Sequence, residues 1–175
     1  MHLNKLVTTP ALENIRSLIA FSAAALDTKE AVALKLSAQL ASLHAFYHSL
    51  PDTSDFSQNG EPPEQDYSTI RLAAAEAFPF LGPYNEVAAT TTEIGKTDIV
   101  VGDSLDDLSD ILVALKDFSW RMMHTSEADA IWNFKETFRS HWSAHLIGLQ
   151  RYLAVLTTLS IHHNDNFRTE NRNGA

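Results

Sequence analysis

Five aspartates, Asp103, Asp106, Asp107, Asp110 and Asp117, recur at three-, four- and seven-residue steps in one stretch of the chain. At about 100° per residue they share one helix sector roughly 100° wide, nearly opposite Leu105, Leu108, Ile111 and Leu115. Like charges at i,i+4 cost a few tenths of a kcal/mol per pair, and no Lys or Arg stands between residues 97 and 115. Relief can take three forms. The face can be solvated, with Asp103, Asp106 and Asp107 complementing the positive end of the helix dipole. It can meet a basic protein surface or an Arg from elsewhere in the fold. Or Asp103, Asp106, Asp107 and Asp110 can face a divalent cation, since hard oxygen ligands suit Mg²⁺ or Mn²⁺.

His141 and His145 form the second constellation. Their i,i+4 spacing projects them from one face of a helix, on the flank of a stripe made by Phe138, Trp142, Leu149 and Tyr152. Two such histidines can ligate zinc or a similar ion with an aspartate of the acidic helix, which makes Asp107, Asp110, His141 and His145 a candidate metal set. The competing reading is a boundary histidine that hydrogen-bonds across the bundle to a carboxylate or carbonyl. His44 and His48 repeat the spacing on another predicted helix. Trp120, Trp132, Phe138, Trp142 and Tyr152 read as core rather than as a ligand box, and Phe78 and Phe80 mark a partner-binding patch only if they are exposed.

Several chemistries lack their residues. There is no G-x-x-x-x-G-K-[ST], G-x-G-x-x-G or G-x-S-x-G, so phosphate cradles and serine-hydrolase elbows have no support. H-E-x-x-H and the E-x-x-H pairs of di-iron bundles are missing as well. With no cysteine among its 175 residues, the chain has no disulfide framework and no thiolate metal site. A formal net charge of −9 makes it a poor counter-ion for nucleic acid or an anionic membrane surface. No apolar run approaches the roughly 18 residues of a membrane span. With no basic-then-apolar leader at its start, the expected location is cytoplasmic.

The elements that would position these groups are helical. Thr9-Pro10 opens a predicted helix over 9–26, and Asp27 or Thr28 caps a second that Pro51 stops, the two forming an antiparallel hairpin. Residues 52–66 carry five acids, no base and two prolines, and read as an exposed loop. A third helix spans 67–77. Residues 84–101 read as a loop or one short extended segment, with no sheet built from them. Asp103 caps the acidic helix, and a last helix runs from Ser126 or Glu127 to near Ser160, about 50 Å if unbent. Residues 161–175 are expected to be a disordered tail. Lys135, Arg139 and Arg151 on the last helix are expected as counter-ions for the acidic one.

The segments G-D-S-L-D-D-L-S-D-I-L at 102–112 and F-R-S-H-W-S-A-H-L at 138–146 together resemble a bacterial family catalogued as domain of unknown function 5063. The likeness extends over nearly the whole chain, with Asp106, Asp107, Asp110, His141, Trp142 and His145 as its family-like positions; Ser143 stands where family members have Gly. It implies an all-helical single domain and brings no established activity, substrate or cofactor. D-D-L-S-D-I-L also resembles half of the acidic site of the all-helical MazG-like nucleotide pyrophosphohydrolases, which complete a Mg²⁺ cage with a second E-x-x-E helix. Here the E-x-x-E from Glu61 to Glu64 is interrupted by Pro62 and Pro63 and cannot be a helix interior.

The combined expectation is an all-α, single-domain bundle of about five helices with a long C-terminal helix. The leading functional reading is a non-enzymatic interaction or regulatory module that meets a basic protein partner, with no cofactor. The alternatives are a divalent-metal hydrolase or a His/Asp metal-binding bundle. The metal readings require the carboxylates to face a concavity holding a further acid. Monomer and homodimer are both left open.

Overall fold

Thr28 begins the first described helix in the way its side chain allows: Oγ1 accepts the Ala31 N–H, and α1 runs Lys29–Ser49 until the extended Leu50 leads into Pro51. The computed structural model describes residues 17, 18, 20, 28–53, 60–88 and 93–170, with side chains to 158. The helix predicted over 9–26 therefore lies almost entirely outside the described residues; of it, Leu18 is buried and Ser17 accepts a bond from Gln39.

Asp66 caps α2, Tyr67–Ala77, and Asp103 caps α3, Ser104–His124. Ser126 caps α4, Glu127–Thr137, which continues through a π-helical turn, Phe138–Trp142, into α5, Ser143–Glu170. These last three segments make one uninterrupted rod. The described residues thus hold four helical rods, where about five helices were expected and the first of those five lies almost entirely outside them. The last rod continues past the expected end near Ser160.

Between α2 and α3, where the residues read as a loop or one short extended segment, the chain forms a hairpin. β1, Pro83–Val87, pairs antiparallel with β2, Ile99–Asp103, so the fold is mostly helical but not all-α. The β-branched run Ile99-Val100-Val101 supplies one strand. Its partner contains Asn and Glu and has no strand-like pattern, which is why it read as loop. Ser104, fully buried, joins this hairpin to α3: its Oγ donates to the Gly82 carbonyl at 2.7 Å and accepts the Gly82 N–H at 2.8 Å.

The core is built from Leu36, Leu40 and Leu43 of α1, Leu108, Ile111, Leu115 and Phe118 of α3, Phe134 of α4, and Trp142, Leu146, Leu149 and Leu153 of the final rod. α3 packs against α2, α4 and α5, so its apolar stripe is covered and its acidic flanks lie beside other elements. Phe78 is buried and Phe80 packs on the core, so the pair is not an exposed patch. Among the described residues no helix is long and apolar enough to cross a membrane.

Candidate functional site

Asp107 leaves the first turn of α3 pointing inward and is only 6% exposed. A buried carboxylate needs donors for its oxygens, and two distant elements provide them. Oδ1 faces His145 Nδ1 of α5 at 2.9 Å, and Oδ2 accepts the Tyr84 hydroxyl of β1 at 2.7 Å. On the other side of the imidazole, His145 Nε2 lies 3.4 Å from Asp110 Oδ2. One ring thus stands between two carboxylates.

The remaining sequence-predicted acids have their own partners. Tyr67 of α2 donates to Asp106, and Arg71, one turn on, pairs with Asp103. Burial and the Asp106 bond raise the Tyr67 pKa, so the phenol stays a donor. The expected counter-ions do not reach α3: Lys135 and Arg139 pair with Asp52, and Arg151 lies against Glu86. Their places on the final rod point them to the loop after α1 and to the hairpin, while Arg71 on α2 meets α3.

His141 and His145 do project from one face, with ring centroids 5.0 Å apart. His141 lies within the π turn, where the Ser143 N–H reaches back to the Phe138 carbonyl. π turns inside α-helices are frequent at functional sites. Trp142, its neighbour in the motif, is fully buried in the core. One ligand-capable atom from each of Asp110, His141 and His145 lies within 4.8 Å of the others. Asp107 is not in this set; it holds His145 from behind. His44 and His48 are not in it either, and their rings lie along α1, with His44 beside Phe138.

Asp110 and His141 open onto a cleft of about 320 Å³ between α3 and the final rod. Phe118, Phe134 and Trp142 line its apolar part, and Glu61, Asp117 and Arg121 its far end. Arg121 is held there by buried Asp129 at 3.1 Å. Asp117 carries no hydrogen bond among the described residues, and burial raises its pKa against the opposing pull of Arg121. Burial likewise raises the Asp110 pKa, against the pull of His145 and His141. The His145 pKa is raised, first by the bond to Asp107 and then by Asp110, with burial opposing.

The match to the family model described as "Domain of unknown function (DUF5063)" extends over residues 18–158. The chain belongs to the DUF5063 family. This DUF5063 chain has no match among curated proteins. Its fold is similar to the crystal structure of protein BF1032 from Bacteroides fragilis, a structural-genomics target, with a TM-score of 0.61 and 18% identity over 88% of this chain and 90% of that one. At that identity the likeness concerns the DUF5063 fold and not its chemistry.

Sequence reasoning reached Asp110, His141 and His145 but missed Tyr84, Tyr67 and Arg71. Each lies more than 20 residues from its aspartate, and no spacing rule links them.

Proposed function

We propose that this protein is a His/Asp metal-binding helical module in which Asp110, His141 and His145 hold one divalent transition ion at the mouth of the cleft. The carrying observation is the placement of His145, whose Nδ1 is engaged by buried Asp107 while Nε2 faces Asp110 at 3.4 Å. Metal-ligating histidines almost always give their other ring nitrogen to a carboxylate, carbonyl or water. Bonds near 2.0–2.1 Å in a tetrahedral site put neighbouring ligand atoms about 3.3 Å apart, so the Asp110–His145 pair already has the spacing. His141 is exposed and closes the set by a side-chain adjustment.

Two imidazoles and one carboxylate favour Zn²⁺ and similar ions over Mg²⁺ or Ca²⁺. Three protein ligands leave a coordination position for water or a small molecule, and the cleft supplies its access. Docking of a basic protein on Asp103 and Asp106 draws less support, because Arg71 and Tyr67 already engage them and Asp107 is buried.

The test is a thermal melt of metal-stripped protein titrated with Zn²⁺, Mn²⁺, Mg²⁺ and Ca²⁺. A ligand specific for the folded state adds about 2.7 kcal/mol of stability at one hundred times its Kd. Zn²⁺ is expected to raise the midpoint saturably in wild type and not in His141→Ala or Asp110→Asn. Flat curves for every ion, or a Zn²⁺ shift that survives both substitutions, would remove the metal site.

A further inference from the structure

Tyr84 occupies a slot that only two glycines leave open. In the hairpin register it stands opposite Gly102. A Cβ on Gly102 would lie 2.6 Å from the phenol Cζ, and a Cβ on Gly148 of α5 only 2.4 Å from the phenol oxygen. Real Cβ atoms do not approach that closely, and neither collision can be relieved by a flexible chain end, because the ring is rigid and its oxygen is pinned. The ring is held on other sides too. Tyr152 packs at 5.5 Å, and the Arg151 guanidinium lies over its face at 6.0 Å.

At the closed end of the slot the hydroxyl donates to Asp107 Oδ2 at 2.7 Å, and the other oxygen of the same carboxylate faces His145 Nδ1 at 2.9 Å. Burial and the Asp107 carboxylate raise the phenol pKa, so it remains a proton donor. Gly148 lies one helical turn beyond His145 on α5, so one face of that helix carries both the imidazole and the gap that admits the phenol. β1, β2, α3 and α5 therefore all contribute to the setting of one ring.

We infer that Tyr84 is a positioning residue for His145, acting through Asp107: it fixes the carboxylate so that Nδ1 keeps its proton and Nε2 is turned toward Asp110 and His141. The inference rests on the metal-binding reading for its purpose, but the setting of the ring exists without metal. With Oδ2 unbonded, a buried carboxylate turns in search of a donor. His145 then loses the fixed partner that selects its tautomer.

The experiment uses the full chain with Tyr84→Phe, which keeps the ring in its slot and removes only the hydroxyl. Gly148→Ala does the converse. Tyr152→Phe is the control, because its hydroxyl donates to the Phe80 carbonyl and not to Asp107. Two readouts are taken: the His145 tautomer in metal-free protein, from long-range ¹H–¹⁵N correlations above the raised pKa of that imidazole, where the ring is neutral, and Zn²⁺ affinity from chelator competition. Wild type is expected to hold the Nδ1–H form. Tyr84→Phe is expected to mix the tautomers and weaken Zn²⁺ about tenfold, the low end for loss of a partner behind a metal ligand, with Tyr152→Phe unchanged. A Tyr84→Phe protein with wild-type tautomer and wild-type Zn²⁺ affinity overturns the inference. If wild type binds no Zn²⁺, the metal reading falls alone, and the metal-free spectra still decide for or against Tyr84. A folding failure of Gly148→Ala leaves Tyr84→Phe to decide.

Discussion

Along the first turn of α3, the flank beside α2 and the hairpin, Asp103, Asp106 and Asp107 each accept a hydrogen bond from a side chain of another element, and Asp107 also faces His145 of the final rod. Further along the helix, on the flank that lines the cleft, Asp110 shares that imidazole at 3.4 Å and Asp117 has no hydrogen bond among the described residues. The residue type, the helix and the sign of charge are the same on both. Neighbours separate them: one flank has been given donors, and the other opens on a cleft. Burial raises the pKa of Asp110 against the pull of His145 and His141, and that of Asp117 against the pull of Arg121, so on the proposed reading the open flank is where an added cation relieves a cost of burial.

The largest expected effect tests the closed flank. Asp107→Ala leaves the Tyr84 hydroxyl and His145 without their shared acceptor, and removal of one partner from a buried pair costs about 3–5 kcal/mol. Asp110→Ala is expected to cost less than about 1 kcal/mol, as for a partly exposed ion pair. Urea unfolding of both metal-free variants measures the two values, and equal losses would erase the distinction between the flanks.

A smaller effect concerns pH. His145 has a folded pKa above its ordinary value of 6.5, so its contribution is fully present below the unfolded value and is lost as pH rises through the folded one. Asp110, also raised, favours the folded state on acidification in the same sense, at lower pH. Metal-free protein is therefore expected to lose stability as pH rises above the ordinary value of 6.5 and through the raised folded one, and His145→Ala to flatten that slope. A wild-type slope of the opposite sign would show that His145 is not held by the two carboxylates. The smallest effect lies at the rim. Arg71→Ala removes a half-exposed pair with Asp103 and is expected to cost under about 1 kcal/mol, less in high salt. A loss of several kcal/mol would place Asp103 with the sealed groups.

The capped helices were legible because their signals are local. Thr28, Asp66, Asp103 and Ser126 stand immediately before the helices they cap, and Pro51 follows the end of the first. The acidic sector and the His141–His145 face follow from 3.6-residue periodicity alone. What lies beside a helix does not. Nothing near Asp107 distinguishes it from Asp106, yet one is buried behind Tyr84 and the other meets Tyr67 at the rim. The hairpin escaped notice because β1 is P-Y-N-E-V, a segment that becomes a strand only through its partner. Nothing beside Gly102 or Gly148 in the chain points to the phenol that lies between them.

The π turn at Phe138–Trp142 amounts to one residue more than a regular helix would need at that point. Everything after it is therefore placed by a single codon. Loss of any one codon in that stretch would leave a continuous helix and an open reading frame, but would turn the downstream face by about 100°. His145 would move away from Asp107, and Gly148 away from Tyr84. Leu146, Leu149 and Leu153 lie on the same downstream stretch and would turn off the core with them, so one extra residue keeps both the site and the packing beneath it in register.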